Sequence, residues 1–367
     1  MPHETPLREE HERVGAALAT WFGALMPDRF SEFTQEYHFA RETVALEDKN
    51  YRTFFELTGP DRQRYLNAIV TNDIKNLAPG QGAITLLLNP QGHIRAELEV
   101  YALEEKLLVV SYAMIREQLF AELDKFIIMD DVTLTDVTDQ LAALALEGPR
   151  TAQIVKAICA VDLSALPELG HREVKVDSIR CRIIRRSPGG VPGAEFIVAR
   201  TNAVALWQAL KAVSVVHGGG PIGYEALRAL RLEAGIPWFG YDFDEQVIPH
   251  EAALENTHIS YTKGCYTGQE IVERVRSRGH VNRKRVGLEF SGSEIPPAGM
   301  KLSHQGKEVG HLTSAAFSPA LGHPIGMGYL RREANAIGTE LEWPGGTAHV
   351  IELPLRFSGQ PEPAPGQ

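Results

Sequence analysis

Cysteine is scarce in this 367-residue chain: Cys159, Cys181 and Cys265 stand far apart, with no C-x-x-C pair. That spacing argues against a disulfide framework and against a self-contained zinc or iron–sulfur site. The thirteen histidines contain no H-E-x-x-H or H-x-x-x-H pair, so no metal site is expected. Long apolar runs are missing as well, and none nears the roughly 20 residues that span a bilayer. The opening MPHETPLREEHERV is charged where a secretory signal is apolar. The expectation is a cytoplasmic protein with no membrane partner.

What the chain does have is length for two or three lobes. Its formal net charge of −10 makes DNA or generic nucleic-acid binding a poor default. The charge is uneven, because RVRSRGHVNRKR (Arg274–Arg285) holds six Lys/Arg and no acid. Few aromatics flank this run, which ranks RNA below a small anion as its ligand.

Periodicity sketches an α+β organisation. Val14, Leu18, Trp21, Phe22 and Leu25 at helical spacing predict an amphipathic helix over 8–26 within an N-terminal helical extension, 1–40. Two strands, a helix over 62–70 and a hairpin around Asn89-Pro90-Gln91-Gly92 follow. Residues 141–220 read β-α-β-β-β-α, a ferredoxin-like lobe. Short strands with Gly/Pro turns over 285–358 predict a small β-barrel, and 359–367 a disordered tail.

The segment Tyr261–Arg276, YTKGCYTGQEIVERVR, is the most informative. Thr267 and Glu270 have the spacing of a capping box, with Tyr266 and Ile271 placed for a hydrophobic staple. Cys265 then sits just before a helix N-terminus and two residues after Lys263, a setting that favours the thiolate. Glu233 falls on the apolar side and at the C-terminal end of its helix. A carboxylate placed so unfavourably needs a compensating partner, either a ligand or an internal arginine such as Arg228.

KGCYTGQE (Lys263–Glu270) resembles the signature of YgfZ-type folate-binding proteins, relatives of the glycine-cleavage T-protein. RYLNAIVTNDI, RLEAGIPWFGYDFDE and NRKRVGLEF are similar to further family segments, so the resemblance runs from about residue 44 to 357. It implies a three-lobed T-protein-like ring, with a folate-binding lobe from 41–140 plus 221–284 and tetrahydrofolate in the central opening. It implies a role with iron–sulfur proteins or their assembly factors, including tRNA-modifying enzymes. It also implies functional residues: Cys265 and Lys263 for chemistry, Glu233 as pterin anchor, and Asn72, Tyr266 and Gln269 around the ligand. Arg276, Arg283 and Arg285 are candidates for the folate's glutamate tail, since arginine pairs with carboxylates bidentately.

T-protein enzymes carry an acidic pair in a G-G-I-x-D-D-like stretch, whereas this chain reads Gly92-His93-Ile94-Arg95-Ala96-Glu97. Ala96 takes the place of the acid held to be catalytic, and Glu97 points to the other face of a strand. On this reading a folate-binding accessory protein leads, ahead of a folate-dependent one-carbon transferase or an RNA-binding module.

Overall fold

A computed structural model describes residues 3–186 and 191–355; the expected tail at 359–367 lies outside the described residues. Three sheets and a barrel make up the body. The first main sheet has five antiparallel strands in the order Gly82–Leu88, Ile94–Ala102, Lys106–Tyr112, Arg52–Thr58, Thr133–Asp136. The helices Arg62–Ile69 and Arg116–Lys125 cover one of its faces through Leu66, Ile69, Leu119 and Leu123.

The second main sheet carries the expected β-α-β-β-β-α run, from Leu141–Glu147 to the helix Ala203–Val216. It also recruits Ala45–Asp48, antiparallel to Leu141–Glu147, and Gly220–Pro221 beyond it. A four-residue strand, Ala-Leu-Glu-Asp, is too short for an alternation that declares which sheet it joins. The strands from Arg283 to Ile351 close into a six-stranded barrel around Leu288, Phe290, Leu312 and Trp343. The result is the mixed α+β, T-protein-like architecture with a C-terminal β-barrel.

The N-terminal helix is a correction. Helix runs only from Arg8 to Arg13, and Ala17–Trp21 pairs with Ala24–Arg29 as a hairpin. The turn lies at Phe22 (φ 51°) and Gly23 (φ 78°). A Cβ on Gly23 would stand 2.8 Å from that of Met114, so only glycine fits. Reversing the chain there drives Phe22 into an aromatic cluster, 4.4 Å from the ring of Tyr51 and 5.1 Å from Trp238. Tertiary burial has overridden a local spacing that suits either structure.

Candidate functional site

Strand alternation decides where the acids go. Along Ile94–Ala102, Ala96, Leu98 and Val100 enter the apolar core under the helices. Glu97 and Glu99 take the opposite face, beside a cavity of about 360 Å³. Tyr112 of the first sheet and Tyr51 just before its strand Arg52–Thr58, Arg186 just past the strand Ile179–Arg185 of the second, Trp238 from a connection, His258 of the short helix Glu255–His258 and Arg285 of the barrel complete its walls. The cavity therefore lies where both sheets and the barrel meet.

The two carboxylates are held differently. Arg52 grips Glu99 through both terminal nitrogens at 2.8 and 3.2 Å, and also reaches Glu195 at 3.1 Å. Arg186 Nε approaches Glu99 at 2.6 Å and the Tyr101 hydroxyl donates to it at 2.5 Å. Burial opposes ionisation of Glu99, but Arg186 and Arg52 outweigh it and hold the carboxyl well below the usual range. Glu99 is thus a neutralised structural anion.

Among the described residues Glu97 makes no ion pair with an arginine, although Arg186 is near enough to feel its charge. One oxygen accepts the Tyr112 hydroxyl and the other lies 3.0 Å from His258 Nε2, whose Nδ1 is 2.7 Å from Thr257 Oγ1. Burial and the adjacent Glu97 charge push the Tyr112 phenol far above its ordinary value, so it remains a donor. The arrangement presents one oriented carboxylate to a cavity walled by Tyr51 and Trp238, suited to a flat ligand bearing N–H groups.

Supporting contacts fix these walls. Thr71 Oγ1 donates to the His258 carbonyl at 2.6 Å, and Asn72 Nδ2 to the Ile84 carbonyl at 2.8 Å and the Thr257 carbonyl at 3.3 Å. Buried Arg231 bonds Asp242 and packs 4.5 Å from the centre of the Trp238 ring, while Asp242 also accepts the Trp238 backbone N–H at 2.9 Å. This pairing explains much of the RLEAGIPWFGYDFDE segment.

Of the residues expected from sequence, Arg285 alone lines the cavity. Glu233 has found its partner internally: Tyr37 donates at 2.9 Å, Ser318 at 2.5 Å, and Arg41 forms an ion pair. The helix Tyr224–Glu233 ends between the helix Phe33–Glu42 and the barrel strand Lys307–Ser318, so the carboxylate is not exposed to the cavity. The partner is an internal arginine, as one of the two expectations had it, but Arg41 and not Arg228, because the arginine that packing brings up lies far away in sequence.

The motif loop is also elsewhere. Cys265 is exposed. Lys263 donates to the carbonyls of Asn67, Val70 and Asn72, and burial pushes its ammonium down to about 8. Tyr266 packs in an apolar cluster with Phe239, Leu88 and Val272. The capping box does not form. Gly268, at φ 83°, is the N-cap of the helix Gln269–Arg278, no side chain caps it, and Glu270 is exposed. The left-handed turn displaces Thr267 from the cap position, and a Cβ on Gly268 would stand 2.7 Å from the Asn89 carbonyl.

The basic residues divide as well. Arg283 pairs with Glu251 and packs over Tyr329, whereas Arg276 lies over Tyr261 at a second cavity. Glu97, Tyr112, His258 and the Arg52–Glu99–Arg186 group were missed. The alternation of Ile94–Ala102 was the available signal for Glu97; nothing local marks Arg52 or His258. Among the described residues no cluster of three or more His, Cys, Asp or Glu is placed to hold a metal ion, and no helix is long and apolar enough to cross a membrane.

A two-sheet α+β body, a carboxylate-bearing cavity at its junction and a closed barrel define a T-protein-like protein. Residues 7–260 match the GCVT N-terminal domain and residues 283–355 the glycine cleavage T-protein C-terminal barrel domain. The chain belongs to the glycine cleavage T-protein family. It is 32% identical to the aminomethyltransferase of Rubrobacter xylanophilus, over 90% of this chain and 87% of that one. It is 30% identical to the aminomethyltransferase of Desulforamulus reducens, over 92% of each. The crystal structure of glycine cleavage system aminomethyltransferase T from Bartonella henselae superposes with a TM-score of 0.88 at 26% identity, covering 97% of this chain and 98% of that one. These relatives are named for aminomethyl transfer.

Proposed function

We propose that the chain is a tetrahydrofolate-dependent one-carbon transferase of the aminomethyltransferase type, with its ligand in the cavity around Glu97. The observation that carries this reading is Glu97 itself, a carboxylate on the cavity wall held by Tyr112 and His258 and not ion-paired to an arginine among the described residues, unlike Glu99. The missing acid at position 96 ceases to be an objection, because that side chain faces the apolar core. The acid that matters to the cavity is the next one along.

The residues present fit a reduced folate. Tyr51, Tyr112 and Trp238 supply flat apolar walls, Glu97 supplies an acceptor for N–H groups, and Arg285 places a cation at the barrel side. When bound, tetrahydrofolate supplies the nitrogens that take up a one-carbon unit. Glu97 binds and orients an N–H or ammonium group and can take its proton. Tyr112 and His258 fix the carboxylate, while Trp238 and Tyr51 limit the access of water. The experiment is calorimetric titration with tetrahydrofolate, paired with an assay for methylene-tetrahydrofolate formed from an aminomethyl donor. Both signals are expected in the wild type, with turnover lost in Glu97→Gln. Folate binding without turnover under any donor would remove the transferase reading and keep the cavity.

A second reading is favoured by Cys265. It is exposed, and its neighbour Gly264 has nothing within 4 Å of an added Cβ, so a partner protein can reach the thiol. A cytoplasmic YgfZ-type accessory role towards iron–sulfur proteins would use this exposed loop. Loss of iron–sulfur enzyme activity in cells carrying Cys265→Ser supports it; full activity removes it.

A further inference from the structure

The basic run Arg274–Arg285 finds no collective use in the central cavity, where Arg285 is its only member. Adjacent residues of the barrel strand Arg283–Phe290 alternate, and Lys284 lines a separate cavity of about 530 Å³. The short helix Glu255–His258 divides the two spaces, with Glu255 and Asn256 lining one and Thr257 and His258 the other.

Cations reach this second cavity from three different elements. Arg276 comes from the helix Gln269–Arg278, Lys284 from the barrel strand and Arg332 from the 3-10 turn Arg332–Ala334. Glu255 is the one acid lining it, 3.7 Å from Lys284. Glu273, just behind the lining, lies 3.6 Å from Arg276, so the three cations outnumber the acids beside them by one, on a chain whose total is −10.

The wall is also built. The Arg276 guanidinium lies 4.2 Å from the centre of the Tyr261 ring, and the Tyr261 hydroxyl is 3.0 Å from His250 Nε2. A guanidinium resting on an aromatic face loses little freedom when its edge binds a carboxylate or phosphate. His250 Nδ1 is buried at the same cavity without a hydrogen-bond partner among the described residues. Arg332 is anchored by its backbone N–H to the Asn282 carbonyl at 3.0 Å.

We infer that this cavity is a second ligand site, distinct from the central one, for a small molecule carrying at least two negative charges as phosphates or carboxylates. Arg276 and Lys284 each face one acid at 3.6–3.7 Å, looser than a bonded pair, so such an anion balances the remaining cation and gains charge-assisted hydrogen bonds. This inference stands independently of folate chemistry in the central cavity.

The test is calorimetric titration of the full chain with inorganic pyrophosphate and, separately, with a tri-γ-glutamate peptide, at two salt concentrations. At least one probe is expected to bind, more weakly at high salt. The double variant Arg276→Gln/Arg332→Gln should weaken that binding about tenfold or more, and its unchanged melting temperature would show that folding is intact. Binding of pyrophosphate alone assigns the site to a free phosphorylated compound. Binding of the peptide, with tighter uptake of tetrahydrofolate triglutamate than of the monoglutamate, assigns it to the acidic tail of a ligand seated next door. No binding of either probe, or binding that the double variant leaves unchanged, overturns the inference.

Discussion

The central cavity and the Lys263–Glu270 loop are built on opposite plans. The loop holds the most conspicuous motif of the sequence, yet Cys265 stands in solvent and Lys263 binds three backbone carbonyls. The cavity is lined by residues from remote parts of the chain, from Tyr51 to Arg285, and its one run of four, Gly235–Trp238, carries no ionisable side chain. The loop turns on the left-handed Gly268 and presents a side chain outward. The cavity surrounds Glu97 and binds inward. A motif legible in sequence thus marks a surface, while the site with enzyme-like geometry emerges only when the sheets meet.

The comparison breaks most severely if the face assignment of Ile94–Ala102 is wrong. Ala96→Asp places a carboxylate in the core of Leu98, Val100 and Leu66. It should destabilise the protein by about 3 kcal/mol or more without creating activity, as an unpaired buried charge does. Urea denaturation measures it, and a stable, more active Ala96→Asp variant would reverse the two faces. Next comes Glu97→Gln, which keeps the shape and removes the charge. Turnover should fall by roughly 10²–10⁴-fold, the usual worth of a positioned acid/base group, while the urea midpoint shifts little. Equal losses of stability and turnover would demote Glu97 to a structural role.

These residues also show how far the sequence could be read. The β-α-β-β-β-α order and the barrel were legible because periodicity and turn residues are local signals. Phe22 was not, since its spacing suits a helix and only distant rings such as Tyr51 and Trp238 decide otherwise. Glu233 was half legible. Its position demanded a partner, but Arg41, Tyr37 and Ser318 come from separate elements. Ala96 and Glu97 were read on the right strand, yet only the packed helices tell which face is core. Arg52 and Glu99 look like ordinary strand charges until the second sheet brings Arg186 and Glu195 against them.

A smaller effect separates the two regions by pH. Burial lowers the Lys263 ammonium to about 8, from about 10.4 for a free lysine. Between these values the unfolded chain binds the proton and the folded chain releases it, so this group's contribution to stability rises as pH increases from about 8 towards 10. Lys263→Met should flatten that slope in urea titrations at pH 8 and 10, and an unaltered slope would mean that the three carbonyls keep the ammonium charged.

The smallest effect expected is that of Cys265→Ser. The side chain is exposed and packs against no core, so stability should move by no more than about 0.5 kcal/mol. Tetrahydrofolate affinity should be equally unmoved, because no atom of Cys265 lines the cavity. Labelling by a thiol reagent, in contrast, should disappear from the fast phase, since Cys159 and Cys181 are pushed up to about 11 and about 12 by burial. A mutant that keeps folate affinity but loses fast labelling leaves the two regions independent. A change in folate affinity larger than about twofold would couple them, and the exposed thiol would then belong to the chemistry of the cavity.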